Sequence, residues 1–298
     1  MGGRWSSTRA GWWGSSPRGT SSARSSSPGC EEGLPPPGPD GGGAGGPMGT
    51  IAVGTSGWSY DDWAGDFYPD GVPRSRWLEH YVTGFPTVEV NASFYRLPSE
   101  RAVARWHDAA PDRFRFAVKG SRFITHVRRL SDCRDEVARF VERVRGLRTH
   151  LDVVLWQLPP TLDRDLGLLE GFLAVLPAGV RHAIEFRHPS WLAGDVFDAL
   201  RARGIAQVWV SSSRMPADRT ATADFVYVRF HGLGGGYAHD YTAEELRPWV
   251  RSLRGAHARG LDGYVYFNND ARARAPKNAR ELVEALGDAA VPWPAARS

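Results

Sequence analysis

Beyond residue 48 the chain switches between two apolar rhythms. Short runs of β-branched and aromatic residues are separated by longer stretches whose apolar positions recur three and four residues apart. The first kind predicts strands over 51–54, 86–91, 114–119, 152–157, 182–187, 205–210, 225–230 and 263–268. The second predicts helices over 74–83, 99–109, 132–146, 164–176, 191–203, 243–258 and 277–286. Only an irregular link, 211–223, separates the sixth and seventh strands. Alternation of this kind argues for βα units around a parallel sheet. Eight units within residues 48–298 predict an α/β fold, a (β/α)8 TIM-type barrel, with the helix between strands six and seven short or missing. An open doubly wound sheet is the alternative. It calls for a G-x-G-x-x-G turn after the first strand, and "VGTSGWSY" is not one.

Several helix ends are marked. Thr242 and Glu245 have capping-box spacing. Ser131 and Ser190 are expected N-caps, and Gly204 and Gly287 expected C-caps.

Residues 1–47 are mostly Ser, Gly, Pro and Arg, with too little apolar surface to offset the entropy of ordering. They read as a disordered extension before a single barrel domain, 48–298, with Met48 a candidate true start. The first 30 residues, rich in Arg and Ser and free of acids, loosely resemble a transit peptide, but no secretory apolar core is present.

Composition changes this picture little. The chain is 42% hydrophobic and 23% charged, with a net charge of +4. That permits an anionic ligand or nucleic acid and demands neither. No apolar run reaches the roughly 18 residues of a membrane span, so no membrane partner is expected. Two cysteines, Cys30 and Cys133, give no disulfide framework, which fits a cytoplasmic protein.

The strand ends carry the chemistry. The polar residues of "EVN", "VKG", "WQL", "EFRH", "RFH" and "FNND" gather there, and in a barrel the carboxyl ends meet at one mouth. Side chains alternate between faces along a strand. Val88 and Val90 therefore oppose Glu89 and Asn91, Ile184 and Phe186 oppose Glu185 and Arg187, and Val228 and Phe230 oppose Arg229 and His231. Tyr266, Asn268 and Asp270 share a face, and Lys119 and Gln157 join the polar set.

The motifs "GTSGWSYDDW", "EVNASFYRLP", "KGSRFITH", "LWQLPP", "EFRHPSW", "YVRFHG" and "YVYFNND", in this order, closely resemble the YecE-like family, a domain of unknown function. The resemblance runs from about residue 50 to about 286. It implies a TIM-type barrel and a site, but no reaction. The chain departs from the pattern at Leu233, where an Arg is expected, and at "ARARAPKNA", where a Gly is expected.

Glu89 and Glu185 are the carboxylates inside buried strands, which makes them candidate general acid and base, with His231 the candidate proton-transfer histidine. The bland reading is that they pair with arginines. Arg187, Arg229 and Lys119 would hold an anion, or would instead neutralise Glu89, Glu185 and Asp270. Asn91, Gln157, Asn268 and Asp270 are candidate contacts to a ligand's polar groups. Asn269 reads as a turn former. Among aromatics at the same ends, Tyr95 and Trp191 are candidate ring contacts to a sugar or base, whereas Trp63 reads as core. "GLGGGY", 232–237, offers either anion-binding amides or a plain lid. His126, His188 and His231 with Asp270 could ligate a divalent metal, but without H-x-H or H-E-x-x-H spacing this is not favoured. No nucleotide-cofactor motif is present, so the cofactor is left unknown.

The expected function is an enzyme, a hydrolase, lyase or isomerase, acting by acid–base chemistry on a phosphorylated or otherwise anionic sugar- or nucleotide-like substrate. The alternatives are a nucleic-acid-binding or metal-dependent endonuclease-like barrel, and a small-molecule binder without turnover.

Overall fold

A computed structural model of the chain describes residues 47–293. Apart from Pro47, the expected extension lies outside the described residues. In chain order the elements are β1 (Ile51–Ser56), α1 (Trp77–Gly84), β2 (Thr87–Val90), α2 (Ala92–Tyr95), α3 (Glu100–Ala109), β3 (Arg115–Lys119), α4 (Arg134–Val144) and β4 (Leu151–Gln157). They continue with α5 (Leu166–Leu173), β5 (Arg181–Glu185), α6 (Gly194–Arg201), β6 (Ala206–Ser211), β7 (Phe225–Phe230), α7 (Ala243–Ala258), β8 (Asp262–Phe267) and α8 (Arg274–Leu286). The strands form a closed barrel in sequence order, all parallel, with β8 pairing back onto β1. This is the (β/α)8 fold the alternation predicts.

The chain passes from β6 to β7 without a helix. The link between them covers that flank by hydrogen bonds instead. Thr222 Oγ1 accepts the Gln207 N–H at 2.7 Å and donates to the Ile205 carbonyl at 2.7 Å. The Trp209 indole donates to the Thr220 carbonyl at 3.0 Å.

The pleat sorts the strands as expected. Val88, Val90, Ile184, Phe186, Val228 and Phe230 face outward into the main apolar core, together with the buried faces of the helices. Inside, Ala117, Leu155, Ala183, Val208, Tyr227 and Tyr266 fill the lumen. The lumen is thus apolar through its middle, and its charges are confined to the two ends.

Thr242 caps α7 through a complete capping box. Gly204 follows α6 at φ +62°, and the Ile205 N–H closes back to the Leu200 carbonyl at 3.1 Å. Gly287 caps α8. Ser131 and Ser190 do not cap. The backbone is left-handed at Arg129, Leu130 and Asp132, which delays α4 until Arg134. Ser190 lies within the turn Pro189–Trp191 and accepts the Arg164 N–H, while α6 begins only at Gly194.

Candidate active site at the carboxyl-terminal mouth

Parallel register brings Ser56 beside Glu89 and Gln157 beside Glu185. Arg229, one turn of the pleat above Tyr227, rises between the two glutamates. Its Nη2 donates to Glu89 Oε1 at 2.6 Å and its Nη1 to Glu185 Oε2 at 2.5 Å. Its side chain is 1% exposed and both carboxylates are 0% exposed. Glu89 also accepts from Ser56 Oγ at 2.8 Å and from the Tyr227 hydroxyl at 2.6 Å. Glu185 Oε1 accepts from Arg187 Nη1 at 2.7 Å and from His231 Nε2 at 3.0 Å. Gln157 Oε1 accepts weakly from Arg229 at 3.3 Å.

Both glutamates are therefore consumed by donors. Burial pushes the Glu185 carboxyl up, but Arg229, His231 and Arg187 outweigh it and hold it well below the usual carboxylate range. It has no proton to give near neutrality. His231 is pushed down to about 4, by burial first, with Glu185 pulling the other way. A neutral ring that donates from Nε2 to Glu185 accepts at Nδ1 from Asn268 Nδ2, 3.1 Å away. These partners, with Arg187 Nη1 at 3.2 Å and Arg229 Nη1 at 3.4 Å from Nε2, fix the orientation of the ring.

Arg229 Nε is the atom of this layer that is buried without an acceptor, and above the layer other polar groups lack partners. Lys119 Nζ makes no hydrogen bond or ion pair among the described residues; it sits 4.2 Å from the centroid of the Phe94 ring. Burial and the adjacent Arg229 push it down to about 7, against the pull of Glu185 and Glu89. Asn91 Oδ1 is buried with no hydrogen-bond partner. Asp270 accepts no hydrogen bond from another side chain, and burial, with Asp62 adding repulsion, pushes it up to about 6. Two cationic groups here are thus committed to carboxylates, and the lysine is not.

The placing of Lys119 depends on the residue after it. A Cβ at Gly120 would lie 2.3 Å from the Trp156 ring, so only glycine lets β3 end this close to β4. The chain then enters a π-type turn, Phe123–Val127, followed by the left-handed residues already named. His126 packs edge-on against Phe94 at 5.1 Å and is pushed down to about 4 by burial and by Lys119. Tyr95, Phe123, Val127 and Tyr237 stand exposed on the loops around the mouth.

The structure brings Glu89, Glu185, Arg187, Arg229, His231, Asn268, Gln157, Lys119, Asn91 and Asp270 to one mouth. Trp191 is a correction. Its indole is fully buried, stacked on Phe186 at 5.0 Å and donating to the Leu162 carbonyl, so it is core and touches no ligand. Tyr95 is 76% exposed, at the rim rather than in the pocket. His188 turns away to Ser190 and Asp163. Asn269 is fully buried and ties Asn278 to the His239 carbonyl. The glycine run closes on itself: Gly232 has φ +81°, and a Cβ there would meet the Gly236 carbonyl at 1.9 Å. Among the described residues no group of three or more His, Cys, Asp or Glu is arranged to hold a metal. Ser56 and Tyr227 are site residues that sequence reasoning did not assign, and Phe94 belonged only to the aromatics gathered at the strand ends. Tyr227 lies two before Arg229 on the same face, which was the available signal; Phe94 reaches Lys119 only through the helical turn α2.

A model of the family described as "Protein of unknown function DUF72" matches residues 52–297. The UPF0759 protein YecE of Escherichia coli strain K12 is 33% identical over 264 residues, covering 79% of this chain and 92% of that protein. The UPF0759 protein YunF of Bacillus subtilis strain 168 is 27% identical over 270 residues, covering 79% of this chain and 94% of its own length. The crystal structure of a DUF72 family protein from Thermotoga maritima superposes with a TM-score of 0.73 at 30% identity, over 80% of this chain and 99% of that one. A family model that spans the barrel, and a solved relative with the same fold, lead to one statement: the chain belongs to the DUF72 family of proteins of unknown function.

Proposed function

We propose that the carboxyl-terminal mouth is the active site of an enzyme acting by acid–base chemistry on a small anionic, sugar- or nucleotide-like substrate. The observation that carries this reading is Lys119, a buried ammonium with no carboxylate partner, held among groups that are already paired. A buried charge without a partner is costly, and perturbed groups of this kind concentrate at functional sites. An anionic group on a ligand supplies the missing partner, with Arg187 beside it, 16% exposed and able to share the contact. Asn91 and Asp270 offer an acceptor and a carboxyl group to the ligand's hydroxyls or amines. Glu89 and Glu185 then serve as the frame that fixes Arg229, Arg187 and His231, while the proton is moved by Lys119 and Asp270, the groups that titrate nearer neutrality.

The test is a thermal-shift series on the full chain with inorganic phosphate, sugar phosphates and nucleotides at one fixed salt concentration. A ligand at about 100 times its Kd adds about 2.7 kcal/mol, which raises the midpoint by several degrees. A shift that disappears in Lys119→Met supports the reading. Unchanged midpoints with every anion count against it, and binding without turnover makes the protein a carrier rather than an enzyme.

A second reading, nucleic-acid binding, draws on the rim. Tyr95, Phe123 and Tyr237 are exposed there, and Arg128 lies 5.6 Å over the Phe123 ring. Rings beside arginines suit stacked bases. Oligonucleotide affinity that falls steeply with salt and drops in Phe123→Ala supports it, because released counterions set that slope.

A further inference from the structure

The 37 cationic side chains of Lys and Arg are all arginine except two, Lys119 and Lys277. An arginine holds a positive charge as well as a lysine does and never loses its proton. What lysine alone adds is a nitrogen that can become a neutral nucleophile. Lys277 has no such opportunity: it is half-exposed and paired with Asp240 at 2.7 Å, and its pKa is raised, by the Asp240 hydrogen bond first.

Lys119 is in the opposite situation. Its surroundings are the Phe94 ring on α2, the guanidinium groups of Arg229 on β7 and Arg187 after β5, the glutamates of β2 and β5, and His126 of the following loop. The two glutamates are already occupied by Arg229, so they give the ammonium no direct hydrogen bond. An amine that is desolvated and placed next to other cations is the arrangement that activates a lysine as a nucleophile. A merely structural lysine at this position would be expected to reach a carboxylate, and several lie within the mouth.

We propose that Lys119 forms an imine with the carbonyl carbon of a small ketone or aldehyde that carries a phosphate or carboxylate group. This rests on the reading of the mouth as an anion-binding active site, and names the substrate class. The neutral Nζ attacks the carbonyl carbon and a C–N bond forms. An Nζ proton passes to the carbonyl oxygen, giving a carbinolamine. One further proton is taken up at that oxygen, the C–O bond breaks, and water leaves a protonated imine. Hydrolysis runs the same steps backwards and restores Lys119. The cationic imine withdraws electrons from the adjacent carbon, so the bonds broken next are C–H or C–C bonds at that carbon. The proton exchanged there is assigned to Asp270, the mouth carboxyl that accepts no hydrogen bond from another side chain. Arg187 holds the anionic substituent.

The experiment uses the full chain with pyruvate and with dihydroxyacetone phosphate at pH 7, each with cyanoborohydride to reduce an imine to a stable secondary amine. Intact mass and peptide mapping read the site, and alkylation also blocks tryptic cleavage after Lys119. The expected result is labelling of Lys119 at least about ten-fold faster than Lys277, following their different neutral fractions. It should be lost in Lys119→Arg and slowed by inorganic phosphate. Circular dichroism and the thermal midpoint show whether that variant is folded, and Lys119→Met repeats the test with a neutral side chain. Thermal shift with the same two probes, without reductant, is measured in parallel. A shift without Lys119 labelling overturns the imine and leaves the anion-binding reading standing. Neither a shift nor labelling overturns both. Labelling confined to Lys277 or the terminal amine overturns the imine.

Discussion

At the amino-terminal end of the barrel, Arg181 meets Asp262 at 3.0 Å and the Tyr264 hydroxyl at 2.7 Å, with a third of its side chain in solvent. At the other end, Arg229 meets two glutamates with 1% of its side chain exposed. Both arginines point into the lumen from strand positions of the same parity, and both are ion-paired. Around Arg181 the partners complete one another. Tyr264 donates to Asp152 at 3.0 Å, Arg115 stands 3.6 Å from the same carboxylate, and Asp224 adds a further contact at 3.6 Å. Water can reach the set, and it closes the barrel floor. Arg229 is shut off from solvent, and at the same mouth Lys119 Nζ makes no hydrogen bond or ion pair among the described residues, Asn91 Oδ1 is buried without a partner, and the Asp270 carboxyl accepts from no other side chain. One plug is complete as it stands, whereas the other is complete only below the surface that a ligand would touch.

That contrast breaks first at Arg229. Arg229→Ala leaves Glu89 buried with no cation beside it and Glu185 with Arg187 alone, and should cost about 3–5 kcal/mol. Thermal denaturation should then show a midpoint lower by something on the order of 10 °C; a loss under about 1 kcal/mol would mean the glutamates are not held as described.

Lys119→Met should move stability the other way, by about 1–3 kcal/mol at pH 6, because it removes an unpaired buried charge. The sign follows from the titration. The unfolded lysine keeps its proton to about 10.5 and the folded one releases it near 7. Stability from this group is therefore full above 10.5 and lost as pH falls through 7. Urea unfolding of wild type should show that rise between neutral and alkaline pH, and the Met variant should lack it.

Asp270→Asn should stabilise by about 1–2 kcal/mol at pH 8 and by little at pH 4. The folded carboxyl takes up its proton near 6 and the unfolded one near 3.8, so its contribution is full below 3.8 and lost as pH rises through 6. A pH-independent difference between variant and wild type would remove Asp270 from the unpaired set. The smallest effect is expected at the floor. Arg181→Ala breaks pairs that solvent already screens, and chemical denaturation should register about 1 kcal/mol or less.

The barrel was legible because period and count are properties of the chain. The observed β7 and α7 coincide with the spans that apolar spacing predicts, and the missing helix after β6 left its mark as a link without periodicity. The mouth was legible to the same depth, since the pleat assigns Glu89, Glu185 and Arg229 to the lumen. What spacing does not carry is which partner each group finds. Arg229 reads equally well as an anion ligand or as the counter-ion of two glutamates, and only the 2.5 and 2.6 Å contacts decide it. Trp191 was misplaced for a related reason. It follows the strand by six residues, past a Pro-led turn that swings it outward onto Phe186. Ser131 failed as a cap because left-handed backbone at three non-glycine residues is not written in any local rule.

Between β6 and β7 the wall is backed by a loop held by hydrogen bonds that link Asp218, Thr220 and Thr222 to Ile205, Gln207 and Trp209, where the neighbouring strands have helices behind them. Segments tied by few contacts open at lower free energy than the fold as a whole. Deuterium should therefore enter the 212–224 segment and the outer edge of β6 before it enters the remaining strands, and a protease that finds this seam would cut the jacket without touching the charged mouth.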